Sequence, residues 1–310
     1  MMQRLAILCP GQGAQHPQMF DLARTDPGVK NLLARWPLEA ICGMPLSTIL
    51  SDPALLFSNR IAQPLIVAAA LAVWEAIKHC APAPALVAGY SIGELSAYGI
   101  AGALPAEQLI ELAATRARSM DDCTVPSARQ SLLAVSGLTV AAVHELLEQH
   151  HLSIAIENGA DSLIVGGWCN DLRAAAAGLL KMGAQLTEIA VEVASHTALM
   201  QGAVAPFSTA LEQSAFMDFK CPVVAGISAV LVSEKKPAVT LLSRQLAEKI
   251  RWDQCMDTCA EAGVTVALEL GPGGALSCML RARHPAIECR SVSDFRTLAG
   301  VAKWLERCFN

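Results

Sequence analysis

The sequence lacks the features that identify several classes of protein. Charged residues make up 16% of its 310 residues, the net charge is −5, and no basic block occurs, which argues against nucleic acid as a partner. A mildly acidic chain also gives no reason to expect binding to anionic membranes. Neither G-x-G-x-x-G nor a Walker loop is present, so the glycine-rich turns are weak evidence for phosphate binding.

Long apolar runs and paired cysteines are also missing. The longest apolar run, 65–74, ends at Glu75 and is much shorter than a membrane span. The N-terminal run 5–9 stops at Pro10 and makes an unconvincing signal peptide. Eleven cysteines are dispersed without C-x-x-C pairs or the histidine spacing of zinc sites. We therefore expect a cytoplasmic protein with no disulfide, no metal and no membrane partner.

Hydrophobic residues make up 53% of the chain, and strand-like and helix-like patterns alternate along it. This alternation predicts an α/β fold with a largely parallel sheet. The main predicted elements outside 123–192 are strands at 4–9, 85–89 and 265–270 and helices at 63–79 and 106–120.

Segment 123–192 has a different order of predicted elements, the β-α-β-β-α-β order of a ferredoxin-like unit. Its predicted elements are strands at 131–136, 152–157, 162–167 and 185–193 and helices at 140–150 and 172–182. We therefore predict a large α/β-hydrolase-like domain, formed by residues 1–122 and 193–310, with a small ferredoxin-like subdomain inserted at 123–192.

The most informative stretch is ALVAGYSIGELSAY at residues 85–98. Gly89, Ser91 and Gly93 form G-x-S-x-G between a strand-like run and a helix-forming run, which is the context of a nucleophilic serine. The N-terminus of the following helix directs free N–H groups toward a developing oxyanion. The pattern favours a catalytic Ser91 over a purely structural turn.

A serine hydroxyl needs a base to remove its proton. His196 follows the predicted strand 185–193 and precedes a helix predicted near Ala198, and such loops carry catalytic groups in α/β proteins. His284 lies in the basic stretch 281–285 and is the second candidate. Spacing alone favours His196 but leaves His284, or a structural role for both, open.

Arg116 lies on an apolar face of the predicted helix 106–120. The residues that share this face at helical spacing are Leu109, Leu112, Ala113 and Met120. A buried guanidinium needs an anionic partner, either a structural carboxylate or the carboxylate of a substrate. The sequence by itself favours the structural ion pair.

The turn after the first strand, residues 10–15, contains Gln12. In hydrolase-like folds a second oxyanion donor comes from another strand-to-helix loop, and Gln12 is a candidate for it. Simple turn chemistry is the alternative explanation for this glutamine.

Taken together, these motifs resemble the malonyl-CoA:acyl-carrier-protein transacylase family. The order and spacing of the motifs agree over nearly the whole chain. The matching segments are PGQGAQ at 10–15, Gln63-Pro64, GYSIGE at 89–94, Arg116 with Met120, SHTALM at 195–200 and GPG at 271–273, with Ala117 in place of a usual glycine and Tyr90 in place of a usual histidine.

The resemblance implies roles for individual residues. Ser91 would be the acylated nucleophile and His196 its general base. The Gln12 side-chain region and the Ile92 backbone N–H would form the oxyanion hole. Arg116 would hold the malonyl carboxylate, which now outweighs the ion-pair interpretation.

Weaker family positions near the pocket match Gln63 and Asn158. The family orients the histidine with a backbone carbonyl near the position of Arg251, where members often carry glutamine, and the Arg251 side chain could add charge to the site. The implied substrates are malonyl-CoA and the prosthetic-group thiol of an acyl carrier protein, with no permanently bound cofactor.

The G-x-S-x-G turn at residues 89–93 is called the elbow below. Tyr90 makes this elbow similar to that of the epsilon subunit of malonate decarboxylase, which implies further decarboxylase subunits as partners. A general fatty-acid or polyketide transacylase is the alternative. A serine hydrolase that uses His284 with Asp257 or Glu269 would not need Arg116. A non-catalytic assembly subunit with the same fold is a further alternative. The presence of Ser91, His196, Gln12 and Arg116 argues against it.

Overall fold

The structure is a computed structural model that describes residues 3–125 and 127–310. Within these residues it contains two β-sheets flanked by helices. The strands are, in chain order, β1 (Leu5–Cys9), β2 (Leu86–Gly89), β3 (Gln130–Ser136), β4 (Ser153–Gly159), β5 (Ser162–Trp168), β6 (Gln185–Ile189), β7 (Val223–Val224), β8 (Leu231–Val232), β9 (Ile250–Arg251), β10 (Val266–Glu269) and β11 (Glu288–Ser291).

The helices of the first half of the chain precede β3. They are α1 (Asp21–Arg24), α2 (Pro27–Arg35), α3 (Leu38–Cys42), α4 (Leu46–Ser51), α5 (Pro53–Phe57), α6 (Asn59–Ile77), α7 (Gly93–Ile100) and α8 (Ala106–Asp121). The later helices are α9 (Val140–Gln149), α10 (Cys169–Lys181), α11 (Gln201–Gln213), α12 (Lys235–Arg244), α13 (Trp252–Glu261), α14 (Ala275–Arg283) and α15 (Leu298–Phe309), with 3-10 turns at Ala198–Met200 and Val292–Asp294.

The large sheet has the strand order β11-β10-β1-β2-β7-β8. All its neighbouring strands are parallel except β8, which runs antiparallel to β7. Strands β1 and β2 are buried along their whole length, as expected for central parallel strands covered on both faces by helices. The predicted α/β fold with a largely parallel sheet is confirmed.

The small sheet has the order β6-β3-β5-β4, with antiparallel pairing throughout, which is the ferredoxin-like arrangement. Strand β9, from far along the chain, adds a fifth member parallel to β4. Leu132 and Ile164 of this sheet also pack into the core of the large sheet. The division of the chain into 1–122 with 193–310 and 123–192 stays a prediction.

The apolar side chains form two clusters. The larger one surrounds the large sheet and includes most of α6 and α7, and the smaller one lies between the small sheet and α9 and α10. The small cluster is built from alternate residues of the strands, such as Leu133 and Val135 of β3, because one face of that sheet is covered by its own helices.

Helix α6 differs from its predicted span of 63–79. It begins four residues earlier, at Asn59, so Pro64 lies inside the helix and not in its first turn. Among the described residues this is the one helix that is long and apolar enough to cross a membrane by length and composition, and 83% of its apolar window is buried inside the protein. It packs against α7 and α8 as a core helix.

Strand β6 also differs from its predicted span of 185–193. It ends at Ile189 because the following backbone leaves the ladder with β3 for other partners. The Ala194 N–H donates to Gln130 Oε1 at 2.9 Å, and the His196 N–H donates to the Leu246 carbonyl at 2.8 Å. His196 therefore lies in the loop after β6, and residues 190–195 separate it from the end of that strand.

Each of the eleven cysteines is a free thiol. Over residues 3–125 and 127–310, no group of three or more His, Cys, Asp or Glu side chains is arranged to hold a metal ion. The expectations of no metal, no disulfide and a cytoplasmic location stay predictions from the sequence.

Candidate active site

Ser91 lies in a strained turn between β2 and α7, with a backbone φ of 55°. For a residue with a side chain this conformation costs about 1–3 kcal/mol. Both flanking glycines are required by close backbone contacts. A Cβ on Gly89 would lie 2.3 Å from the backbone of Glu94, and one on Gly93 would lie 2.2 Å from the Cys9 carbonyl. The turn holds the Ser91 hydroxyl at the carboxyl ends of β1 and β2.

His196 is the hydrogen-bond partner of Ser91. The distance from Ser91 Oγ to His196 Nε2 is 2.7 Å, and His196 Nδ1 lies 2.6 Å from the backbone carbonyl oxygen of Gln245. Because a carbonyl only accepts, Nδ1 carries the proton and Nε2 presents its lone pair to the serine hydroxyl. This is the tautomer that a general base for Ser91 requires.

The environment of His196 keeps its ring neutral. The side chain is 1% exposed, and burial, together with the nearby Arg116 cation, lowers its pKa to about 3, while the hydrogen bond to Gln245 opposes that shift. At neutral pH the resting base is therefore unprotonated and able to accept a proton.

The carbonyl that orients His196 corrects one sequence-based expectation. The resemblance implied a carbonyl near Arg251, but the oxygen belongs to Gln245, six residues earlier in the chain. Arg251 is exposed on β9, and its N–H donates to the Gly226 carbonyl. Among the described residues Arg251 makes no hydrogen bond with His196, and the Gln245 carbonyl takes that place.

His284 lies in a different arrangement. Its Nε2 is 2.9 Å from Asp257 Oδ1, and Arg283 makes two hydrogen bonds to the same carboxylate. Glu269, the other acid considered for a hydrolase triad, accepts a hydrogen bond from the Ser277 N–H at 2.8 Å. These contacts are those of a partly exposed ion-pair cluster and a buried helix cap.

Arg116 enters the site from α8 and is 1% exposed. Its Nη1 donates to Gln63 Oε1 at 2.7 Å, and its Nη2 donates to Gln245 Oε1 at 3.2 Å. The same Nη2 lies 3.5 Å from Ser91 Oγ. The apolar face found in the sequence therefore brings the guanidinium directly beside the candidate nucleophile.

The charge of Arg116 has no direct counter-ion. No described carboxylate forms an ion pair with it within 4.0 Å, and its Nε is buried without a hydrogen-bond partner. Burial lowers its pKa to about 10, against the opposing field of Glu94, so the group stays cationic at neutral pH. A buried cation supported by two amide oxygens and the Met120 sulfur, all of them uncharged, is able to bind an added carboxylate.

Gln63 lies on α6 and supports Arg116. Its Nε2 donates to Asn59 Oδ1 at 2.7 Å, and Asn59 Nδ2 donates to Asp121 Oδ1 at 2.8 Å. This chain of amides leaves the Gln63 oxygen facing Arg116. The residue predicted to bind substrate thus contacts the arginine.

Two groups near Ser91 are available to an oxyanion. The Ile92 N–H, at the start of α7, has no acceptor within the described residues. Gly11 packs against the elbow, since a Cβ there would lie 2.8 Å from the Tyr90 carbonyl and 3.7 Å from Ser91 Cβ. The next residue, Gln12, has a buried Nε2 that finds no partner among the described residues.

Tyr90 connects the elbow with the small sheet. Its hydroxyl donates to Asn158 Oδ1 at 3.0 Å, and its ring contacts Trp252 edge to face with centroids 5.3 Å apart. The predicted strand 152–157 ends just before Asn158, whereas β4 extends to Gly159 and includes it. The two positions that the sequence marked separately thus meet across the boundary between the sheets.

Two supporting residues were missed by sequence reasoning. Gln245 follows α12 in a segment without a motif, and Glu94 belongs to the elbow motif but received no role. Glu94 Oε2 accepts hydrogen bonds from the Gly226 N–H at 3.0 Å and from Gln245 Nε2 at 2.5 Å. The one sequence signal for Gln245 was its residue type. The family often carries glutamine at the position assigned to Arg251, and Gln245 lies six residues before it.

The assembled groups are a nucleophile, a neutral base, two free donors and a buried cation. This set has the groups that acyl transfer through a covalent acyl-serine requires, together with a cation that could bind an acid group of an acyl chain. Each of these groups is common in proteins, but their occurrence together around Ser91 is typical of acyl transfer.

Comparison with known proteins agrees with this chemistry. Residues 7–296 match the model of the acyl transferase domain family. The chain is similar to a malonyl CoA-acyl carrier protein transacylase of Mycobacterium bovis, with 31% identity over 295 residues that cover 94% of this chain and 96% of the relative.

Solved structures agree as well. A malonyl-CoA:acyl carrier protein transacylase of Xanthomonas oryzae is similar, with a TM-score of 0.90 and 27% identity over 99% of both chains. So is a malonyl-transacylase solved in complex with a type II PKS acyl-carrier protein, with a TM-score of 0.90 and 26% identity over 97% of this chain and 99% of that one. A family match over most of its length and a 31% identical relative identify this chain as an acyltransferase that belongs to the acyl transferase domain family.

Proposed function

We propose that this chain transfers a malonyl group from malonyl-CoA to the thiol of an acyl carrier protein through a malonyl-Ser91 intermediate. The observation that carries the proposal is the buried Arg116, which has no direct carboxylate partner and whose Nη2 lies 3.5 Å from Ser91 Oγ. Among acyl groups, malonyl offers the carboxylate that such a cation binds, and acetyl does not.

The reaction follows from the hydrogen bonds of the site. His196 Nε2 accepts the Ser91 proton as Oγ attacks the thioester carbonyl. The oxyanion formed is stabilised by the Ile92 N–H and by Gln12. The carbon–sulfur bond then breaks, and the CoA sulfur leaves with the proton from His196. In the second half, His196 takes the proton of the carrier thiol as its sulfur attacks the carbonyl of malonyl-Ser91. The ester C–O bond then breaks, and Ser91 Oγ leaves with the proton from His196.

Two kinds of carrier are candidates. The relatives named as malonyl CoA-acyl carrier protein transacylases, and the complex with a type II PKS carrier, favour a fatty-acid or polyketide carrier. Tyr90, with its hydrogen bond to Asn158, favours the second candidate, in which the chain is the epsilon subunit of malonate decarboxylase and works with its other subunits.

The acyl-enzyme is the first expected outcome. Malonyl-CoA without an acceptor should add one malonyl group to the protein, because Ser91 is activated and no thiol is present to remove the acyl group. Intact-mass measurement and peptide mapping locate the adduct. Ser91→Ala should form no adduct, and an adduct on another residue of the wild-type protein would contradict the mechanism.

The base is tested with a matched pair of histidines. His196→Ala should slow acylation by about 10²–10⁴-fold, the range typical of lost general-base catalysis. His284→Ala should change the rate little, since His284 bonds to the Asp257 cluster. Stopped-flow or quench-flow acylation rates give the comparison, and an essential His284 with a dispensable His196 would point to the hydrolase arrangement.

Arg116 is expected to select for the substrate carboxylate. Arg116→Ala should weaken malonyl transfer by about 2–5 kcal/mol, because the carboxylate would be buried without its partner. Acetyl transfer should be spared, and Arg116→Lys should rescue malonyl transfer only in part, since an ammonium lacks the bidentate fork. Side-by-side rates and melting temperatures are measured. Equal loss for both acyl groups with a large fall in melting temperature would indicate a structural role.

The carrier is identified by giving the malonylated enzyme two acceptors. We expect transfer to a phosphopantetheine-bearing carrier of the fatty-acid or polyketide type to have the higher kcat/KM, since transacylases of that kind are the relatives found. The competing acceptor is the malonate decarboxylase carrier with its CoA-derived group. A preference for the decarboxylase carrier that is lost in Tyr90→His would establish the second candidate.

A further inference from the structure

Glu94 is a buried acid that none of the reaction steps uses. It lies in the first turn of α7 and is 1% exposed. One carboxylate oxygen accepts the two hydrogen bonds from Gly226 and Gln245, and the other, Oε1, has no partner among the described residues. Burial raises its pKa to about 7, although both hydrogen bonds and the Arg116 charge oppose this.

Gln245 connects Glu94 with Arg116, His196 and the backbone of Ser91. Its Nε2 donates to Glu94 and lies 3.3 Å from the Ser91 carbonyl, and its Oε1 accepts from Arg116. Its backbone carbonyl accepts from His196 Nδ1. One residue therefore positions the cation through its side chain and the base through its main chain.

The carboxylate decides which way the Gln245 amide points. Glu94 Oε2 also accepts from the Gly226 N–H, so it is an acceptor both in the ionised carboxylate and in an acid that carries its proton on Oε1, and the NH2 end of the amide must face it. The oxygen must then face Arg116. In the opposite orientation the amide would present NH2 to the guanidinium, and two sets of donors would meet in a buried site.

We propose that Glu94 is a positioning residue for malonyl transfer: by fixing the orientation of Gln245, it directs Arg116 toward the acyl carboxylate and holds the carbonyl that orients His196. This inference rests on the malonyl transfer proposed above. Gln245 lies between Glu94 and each of Arg116 and His196. Substitution of either Glu94 or Gln245 therefore tests the proposed connection.

The two groups that Glu94 positions serve different substrates. His196 acts on any acyl group, whereas Arg116 matters for an acyl group with a carboxylate. Loss of the link should therefore lower both malonyl and acetyl transfer, but malonyl transfer more. A role in stability alone would lower both activities together and leave their ratio unchanged.

Glu94→Gln is the decisive variant, since it keeps the size of the side chain. The Gly226 N–H still selects the oxygen of the new amide for the place of Oε2, but this neutral oxygen holds the Gln245 NH2 more weakly than a carboxylate does, so Gln245 is positioned less firmly. The matched control is Glu269→Gln. Glu269 is also fully buried, with one oxygen bonded to the Ser277 N–H and the other without a partner among the described residues.

The measurement is kcat/KM for malonyl-CoA and for acetyl-CoA on the full-length chain, with melting temperatures. In Glu94→Gln the malonyl-to-acetyl ratio should fall by about 10-fold, the difference between a hydrogen bond to a charged acceptor and one to a neutral acceptor. Glu269→Gln should leave the ratio unchanged even if it lowers the melting temperature.

Gln245→Leu breaks the link from the other end and decides the matter if Glu94→Gln does not fold. It should reduce the ratio in the same direction, and adding Glu94→Gln to it should change the ratio no further. A folded Glu94→Gln with the wild-type ratio, or an unchanged ratio in Gln245→Leu, would overturn the inference. If the wild-type protein forms no malonyl-Ser91, the proposed function fails instead.

Discussion

A guanidinium held in the protein interior without a direct counter-ion is the constraint on which the site depends. Arg116 is 1% exposed and lies 3.5 Å from the Ser91 hydroxyl. Desolvation of a cation costs several kcal/mol, so the surrounding structure has to offset it. Helix α6 supplies one amide oxygen and the residue after α12 supplies another, which explains why these distant segments converge on α8.

The choice of amides over acids has a chemical consequence. A carboxylate in direct contact would neutralise Arg116 and would repel the carboxylate of a substrate. Amide oxygens accept from both terminal nitrogens of Arg116 and leave its positive charge uncancelled. Two acids lie further away, where they orient the amides without contacting the arginine. Glu94 lies behind Gln245, and Asp121 lies behind Gln63 and Asn59.

The sequence predicted those parts of the site that local patterns determine. The G-x-S-x-G turn identified Ser91, and helical spacing marked Arg116 as an unusual residue on an apolar face. Gln245 escaped prediction because its contact with Arg116 joins positions 129 residues apart, and no periodicity reports such a pairing. The same limit explains why Arg251 was selected and why β6 was extended to 193, since only the tertiary contacts of 194–196 end that strand early.

Ser91 and His196 both have a left-handed backbone, with φ 55° and 63°, and neither is a glycine. Such strain persists only where neighbouring contacts fix the chain. The contacts around Ser91 are the tight elbow and the Gln245 amide, and those around His196 are the carbonyls of Gln245 and Leu246. The segment 245–246 thus holds both strained residues at once. The geometry of the serine–histidine pair is therefore determined by a loop with no reactive group of its own, at the boundary between the two sheets.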